Sequence, residues 1–492
     1  EKIPTSIELP QDIILSGTLK GDANNILTNL KLDGSYGVAT IKGYVNHFTN
    51  KEKASYDLHM TTQTFKIGKL LKKDSLLSTV TMQAAIKGRG FNPKSMQSQI
   101  VTEINAIGFK NYDYKNISIE ADANQGFIKS NGRVNDPNLT LQYHGTTTLN
   151  GPSPAAEVWL HLDTARLHAL QLSKDTINIA MNSHLKADNL TLDQLNATLQ
   201  IDSLKLKINQ QQMFIDSVHA VALSKEGKKE ISFYSPMAEL YANGNFQYDK
   251  IIPSIMRYIN NYYPINDDSS IVVSSPQNIS LNGLIREHQL IKSFIKGLSK
   301  YETITFNGAY ASQATDSALQ FNLLLPSALY QGNQLYNGHI EVSAANEQMR
   351  YAITADTVHT IDTKLYGSSL TGYLAHDSLI ADAVTKDAKG NKRYLLGVTA
   401  SVKDKEYRFR LKDNLLLNFK PWTIDPANEV YYAPAGIHVN HFNLAYKQSG
   451  LAIQSETPQP NSPINININQ FLISDITSLL NKDTLLAKGI IN

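Results

Sequence analysis

Thirteen scattered histidines and a complete absence of cysteine limit the chemistry open to this 492-residue chain. Without cysteine there is no disulfide framework, no thiolate metal site and no thiol nucleophile. His438 and His441 stand three residues apart, where a strand places them on opposite faces, so they do not read as a pair of metal ligands. Asp267-Asp268 follows a helical stretch and precedes Ser269-Ser270, which reads as a solvated linker and not as an acid/base pair. No Gly-x-Ser-x-Gly elbow, His-Glu-x-x-His, phosphate loop or Gly-x-Gly-x-x-Gly occurs; Gly88-Arg89-Gly90 lacks the third glycine and the helix after it. The expectation is a protein that is not an enzyme, with no catalytic residue, metal site or cofactor.

What remains able to act is an apolar surface. Apolar and polar residues alternate in short runs along the whole chain, the pattern of strands with one apolar and one polar face. Stripe candidates are Ile13 and Leu15, Val80 and Met82, Ile117 and Ile119, Leu139 and Leu141, Leu204 and Leu206, and Ile464 and Ile466. Continuous apolar blocks, which fully buried strands would need, are few. Hydrophobic content is 42%, enough to fold, while only 18% of residues are charged; Asn, Gln, Ser and Thr supply the polar face. The net charge is +2 and Lys and Arg form no stripe, which argues against a nucleic-acid partner. Twenty-four tyrosines against two tryptophans suit either the rim of an apolar surface or plain strand formation.

The predicted fold is all-β: an open or curved, elongated sheet with a few short amphipathic helices. Residues 1–265 form one segment ending in a helix, and 266–492 continue it. Helices are predicted over Ile251–Tyr262, with Pro253 in the first turn and Pro264 as the stop, and over His288–Ser299. Shorter candidates are Thr164–Leu170 and Ser474–Leu480. Such helices in a β chain plug or cap a sheet. Lys386–Lys392 reads as a hairpin loop. No window approaches the ~18 apolar residues of a membrane span. Both termini read as mid-sequence, so the chain is expected to be an internal piece of something longer.

Several landmarks in order resemble the TamB family (translocation and assembly module subunit) in its Bacteroidota form, within the AsmA-like group. They include Leu32-Asp33-Gly34-Ser35-Tyr36-Gly37, Phe65-Lys66-Ile67-Gly68-Lys69-Leu70 and Ile86-Lys87-Gly88-Arg89-Gly90-Phe91. Further on come Asn135-Asp136-Pro137-Asn138-Leu139, Leu162-Asp163-Thr164-Ala165-Arg166-Leu167 and Trp422-Thr423-Ile424-Asp425-Pro426. The resemblance implies a β-taco, a twisted U-shaped sheet whose apolar face lines a groove. It implies a periplasmic bridge conducting phospholipid between inner and outer membranes. The inner-membrane anchor of the full-length protein and the region that meets an Omp85-family outer-membrane partner would both lie outside this chain. About 35 strands stacked ~4.8 Å apart would span roughly 170 Å, on the order of an envelope gap. The alternative is a scaffold or chaperone for outer-membrane β-barrel assembly that offers its sheet edge to client strands.

One motif stands apart: Asp, then Ser or Thr, then a small or aliphatic residue. Its hydroxyls are Ser75, Thr164, Thr176, Ser203, Ser217, Ser317, Thr357, Ser378 and Thr484. One reading is turn chemistry, in which Asp and the hydroxyl bond local backbone before the next strand opens. The other is modification, since the tripeptide is similar to the acceptor of Bacteroidota periplasmic O-glycosylation. That reading needs the hydroxyl on a loop tip or the polar face.

Overall fold

The computed structural model describes residues 7–8, 10–265, 275–314, 318–345, 347–360, 363–472 and 490–491. The chain is nearly all β, 66% strand against 5% helix, and its antiparallel sheet is not closed into a barrel. Two compact units are distinguished: residues 1–226 with 231–236, and residues 227–230 with 237–492.

The first unit contains thirteen consecutive strands. They are β1 (Ile13–Gly21), β2 (Asn25–Gly34), β3 (Gly37–Asn46), β4 (Ser55–Phe65), β5 (Leu77–Arg89), β6 (Gln97–Phe109) and β7 (Tyr112–Asn124). After them come β8 (Phe127–Asp136), β9 (Leu139–Thr148), β10 (Ala155–Arg166), β11 (Ile177–Asn189), β12 (Asn196–Ile208) and β13 (Gln211–Lys225). Each pairs antiparallel with the next along the chain. Short polar turns make this possible. Between β1 and β2 the Asp22 carboxylate accepts the backbone N–H groups of Asn24 and Asn25.

The ladder is broken along one line. Pairing skips between Thr62 and Phe65 of β4, around Asn105 of β6 and Asn116 of β7, and after Leu162 of β10. It skips again at Ser203 of β12 and Asp216 of β13. Extra residues of this kind bend and twist a strand, so breaks aligned from strand to strand crease the sheet. Apolar side chains gather at the crease: Tyr36, Phe65 and Val80 in one buried cluster, Leu162, Ala165 and Leu170 in another. The one-turn helix Ile67–Leu70 and the turn carrying Leu167 and Leu170 fold over these two clusters.

The crease reassigns the tripeptides. Asp163-Thr164, Asp202-Ser203 and Asp216-Ser217 lie inside strands at the breaks, as does Asp356-Thr357 in the second unit, where Asn337 donates to the Asp356 carboxylate at 2.9 Å. Ser75 and Thr176 keep the expected place just ahead of strands, while Ser378 is itself the first residue of the strand Ser378–Lys386. Ser317 and Thr484 lie outside the described residues. Ser203 adopts φ +55°, a left-handed conformation that costs an L-residue about 1–2 kcal/mol. Ser203→Gly is therefore expected to leave the thermal midpoint unchanged or raised, and Ser203→Val to lower it. Equal midpoints for the two variants would contradict the crease as a strained bend.

In the second unit, strands from Ala238–Asn245 to Glu406–Leu411 continue the antiparallel ladder, except that Asn278–Ile285 pairs with Ile304–Ala311 and the intervening Leu298–Tyr301 pairs with Leu319–Tyr330. A separate four-stranded sheet holds Thr423–Ile424, Phe442–Tyr446, Ser449–Ser455 and Ile464–Asn469. The Lys386–Lys392 hairpin is present, with Asp387 accepting the N–H groups of Lys389 and Asn391.

The helix predicted over Ile251–Tyr262 forms as Ile251–Asn260. Its Tyr258 and Ile259, with Tyr262 and Tyr263 beyond it, pack on Ala344, Met349 and Leu374, the capping role expected of it. Two helical expectations are corrected. His288–Ser299 is helical only over Gln289–Phe294, because Gly297 turns to φ +95° and Leu298 opens a strand. Thr164–Leu170 is strand through Arg166, held by the ladder, and then a single turn. Ser474–Leu480 lies outside the described residues.

Candidate functional site: an uncharged apolar face

Cross-strand register in the first unit places side chains in rows that run perpendicular to the strands. One row follows the crease: Leu15, Leu32, Ala39, Thr62, Met82, Ile104, Ile117, Val134, Leu141, Leu162 and Met181. The next, two residues along, crosses all thirteen strands and includes Ile41, Met60, Ile119, Leu160, Ile201 and Val218. A third includes Leu58, Ile86, Ile100, Val158, Leu185 and Leu199. A fourth ends in small residues, Ala156, Ala187, Ala197 and Ala222.

No Asp, Glu, Lys, Arg or His stands in any of these four rows. The opposite face takes the charges. In β6 the residues Gln97, Gln99, Val101 and Glu103 are exposed, while Ser98, Ile100, Thr102 and Ile104 between them are buried or half-buried. The first row covers ten inter-strand steps and the other three cover twelve, about 58 Å at ~4.8 Å per strand.

Ten of the twelve stripe candidates therefore share one face. Ile13 and Leu15 reach it on β1, where every residue is exposed because one side of the strand has no partner among the described residues. Met82, Ile117, Ile119 and Leu141 stand in the rows. Val80, Leu139, Leu204 and Leu206 stand beyond the crease, Val80 and Leu206 buried. Ile464 and Ile466 belong to the small sheet of the second unit, both exposed, opposite Ser455 and Ile453.

Sequence reading missed a buried carboxylate at the end of the face. Asp136, 2% exposed, accepts bonds from the Tyr112 hydroxyl at 2.6 Å and from the backbone N–H groups of Asn138 and Lys115 at 2.8 and 3.0 Å. Burial, then the hydrogen bond to this carboxylate, push the Tyr112 phenol above its ordinary value. These bonds satisfy the charge and close that margin of the apolar surface.

On the polar face, His161 bonds Asn182 and, at 3.0 Å, the Asp163 carboxylate. The Asn182 bond first, and Asp163 second, hold its imidazolium above the ordinary histidine value. A raised value means the stabilisation is fully present below the unfolded pKa and disappears as pH rises through the folded one. Asn182→Ala is expected to lower the His161 titration midpoint in a proton NMR titration. An unchanged midpoint would remove the assigned cause.

No protein-family model, curated protein or solved structure matches the chain. Among the described residues no helix is long and apolar enough to cross a membrane, and no cluster of three or more His, Asp or Glu could hold a metal ion. The apolar face can exclude water from hydrocarbon along its whole length, and its rows contain no Asp, Glu, Lys, Arg or His.

Proposed function

We propose that the apolar face of the first unit holds lipid acyl chains, and that the chain is a stretch of a TamB-like bridge conducting phospholipid between inner and outer membranes. The observation that supports this reading is the run of four adjacent rows without one charged side chain. Covering such a face with hydrocarbon contributes roughly 0.8 kcal/mol per buried methylene, so a dozen methylenes contribute at most about 10 kcal/mol. Headgroups stay in water, where the polar margins of the sheet meet solvent. Periplasmic location, an inner-membrane anchor in the full-length protein and an Omp85-family partner belong to the same reading through regions outside this chain.

Mass spectrometry of the protein purified without detergent tests the proposal. The expected result is co-purifying phospholipid in near-stoichiometric amount. Lipid-free protein that also fails to extract fluorescent phospholipid from vesicles would overturn it.

The exposed β1 edge favours a second reading, a scaffold that adds client strands to the sheet. Leu15→Pro, on that edge strand, would impair client-strand addition.

A further inference from the structure

The face opposite the apolar rows carries a trough of about 570 Å³ across β7 to β12. One wall is the register row Arg133, Gln142, His161, Asn182 and Asp202. The other is Glu120, Asn131, His144, Trp159 and His184. The walls are two residues apart along each strand, roughly 6.7 Å. The floor is backbone already committed to the ladder, so it has no amide to offer an incoming peptide strand.

The second wall is pre-organised. The Trp159 indole is stacked between His144 (4.9 Å between centroids, 10° between planes) and His184 (4.6 Å, 9°). The Glu157 carboxylate fixes His184 at 3.0 Å. Rings that stack across strands stand on edge, so their faces are occupied by one another and their edges line the trough.

The first wall is partly unspent. Arg133 and Gln142 have no hydrogen-bond partner among the described residues. Two carboxylates, Glu120 and Asp202, and one guanidinium, Arg133, line the trough beside the amides of Asn131, Gln142 and Asn182, a balance that disfavours phosphate, sulfate and nucleic acid. Hydroxyl groups, each both donor and acceptor, are the chemistry that satisfies such a mixture.

We propose that this trough binds a neutral oligosaccharide laid across the strands, independently of the apolar face. Planar polar side chains converging on a cleft beside an immobilised aromatic wall give orientation without net charge.

The probes are soluble hexasaccharides of β-1,4-glucan, α-1,4-glucan and α-mannan, each titrated into the full chain and followed by isothermal calorimetry and by the histidine NMR signals. At least one is expected to bind with a millimolar or tighter dissociation constant and to move the His144, His161 or His184 resonances. Arg133→Ala and Asn182→Ala, both at exposed positions, are each expected to weaken it roughly tenfold with circular dichroism unchanged. Ile119→Asp on the other face should leave it intact, which separates this site from lipid binding. Binding of none of the three probes would overturn the proposal. So would affinity insensitive to both trough variants, or tighter binding of a sulfated hexasaccharide than of every neutral one.

Discussion

Ile119→Asp is expected to weaken acyl-chain binding by about 2 kcal/mol, or roughly 30-fold, because hydrocarbon laid over the carboxylate must strip part of its water. Ile119 lies mid-row between Thr102 and Gly132 and is half-buried, so the charge keeps enough solvent for the sheet to fold. Leu206 would be a poorer probe, since at 9% exposure a charge there threatens folding itself. The control is Leu27→Asp, exposed on the polar face between Lys20 and Tyr44. Phospholipid extraction from vesicles should fall for Ile119→Asp and stay level for Leu27→Asp. Equal extraction by both would detach transport from the apolar rows and leave the edge-pairing reading in possession.

Leu170→Ala is expected to destabilise the first unit by about 3 kcal/mol, within the range for burying a cavity where a leucine stood. Leu170 is 1% exposed and packs on Leu162 and Ala165, where the sheet folds on itself with only a turn of chain above it. Nearby Leu172 is 48% exposed, and Leu172→Ala should change stability by under about 0.5 kcal/mol. Denaturant titration compares the two midpoints. Matching midpoints would mean the turn does not close the crease.

The apolar face was legible because parity is a local property. Leu139 and Leu141, or Ile117 and Ile119, point the same way whatever lies beside them, and short hairpins then transmit that choice to the next strand. The crease left a readable trace that was overlooked. The apolar set changes from even to odd positions between Thr62 and Phe65, between Ile104 and Ile107, and between Leu162 and Ala165. It changes from odd to even between Ile201 and Leu204. One extra residue does this, and the Asp-Ser/Thr tripeptides sit at several of the switches. They read as turns because the same side chains serve both roles. The polar trough was not legible at all. His144, Trp159 and His184 are far apart in the chain, and only the register of three strands stacks them.

Neighbour-only pairing from β1 to β13 has a consequence for how such a sheet changes length. A hairpin is the smallest piece that can be added or lost while every remaining strand keeps its direction and its two faces. Duplicating one extends each apolar row by two positions, roughly 10 Å, and disturbs nothing farther away. A single-strand insertion would instead reverse every strand after it. The first unit can thus be lengthened by tandem duplication as a ruler is lengthened by graduations. Its span can grow while the surface offered at each step stays the same.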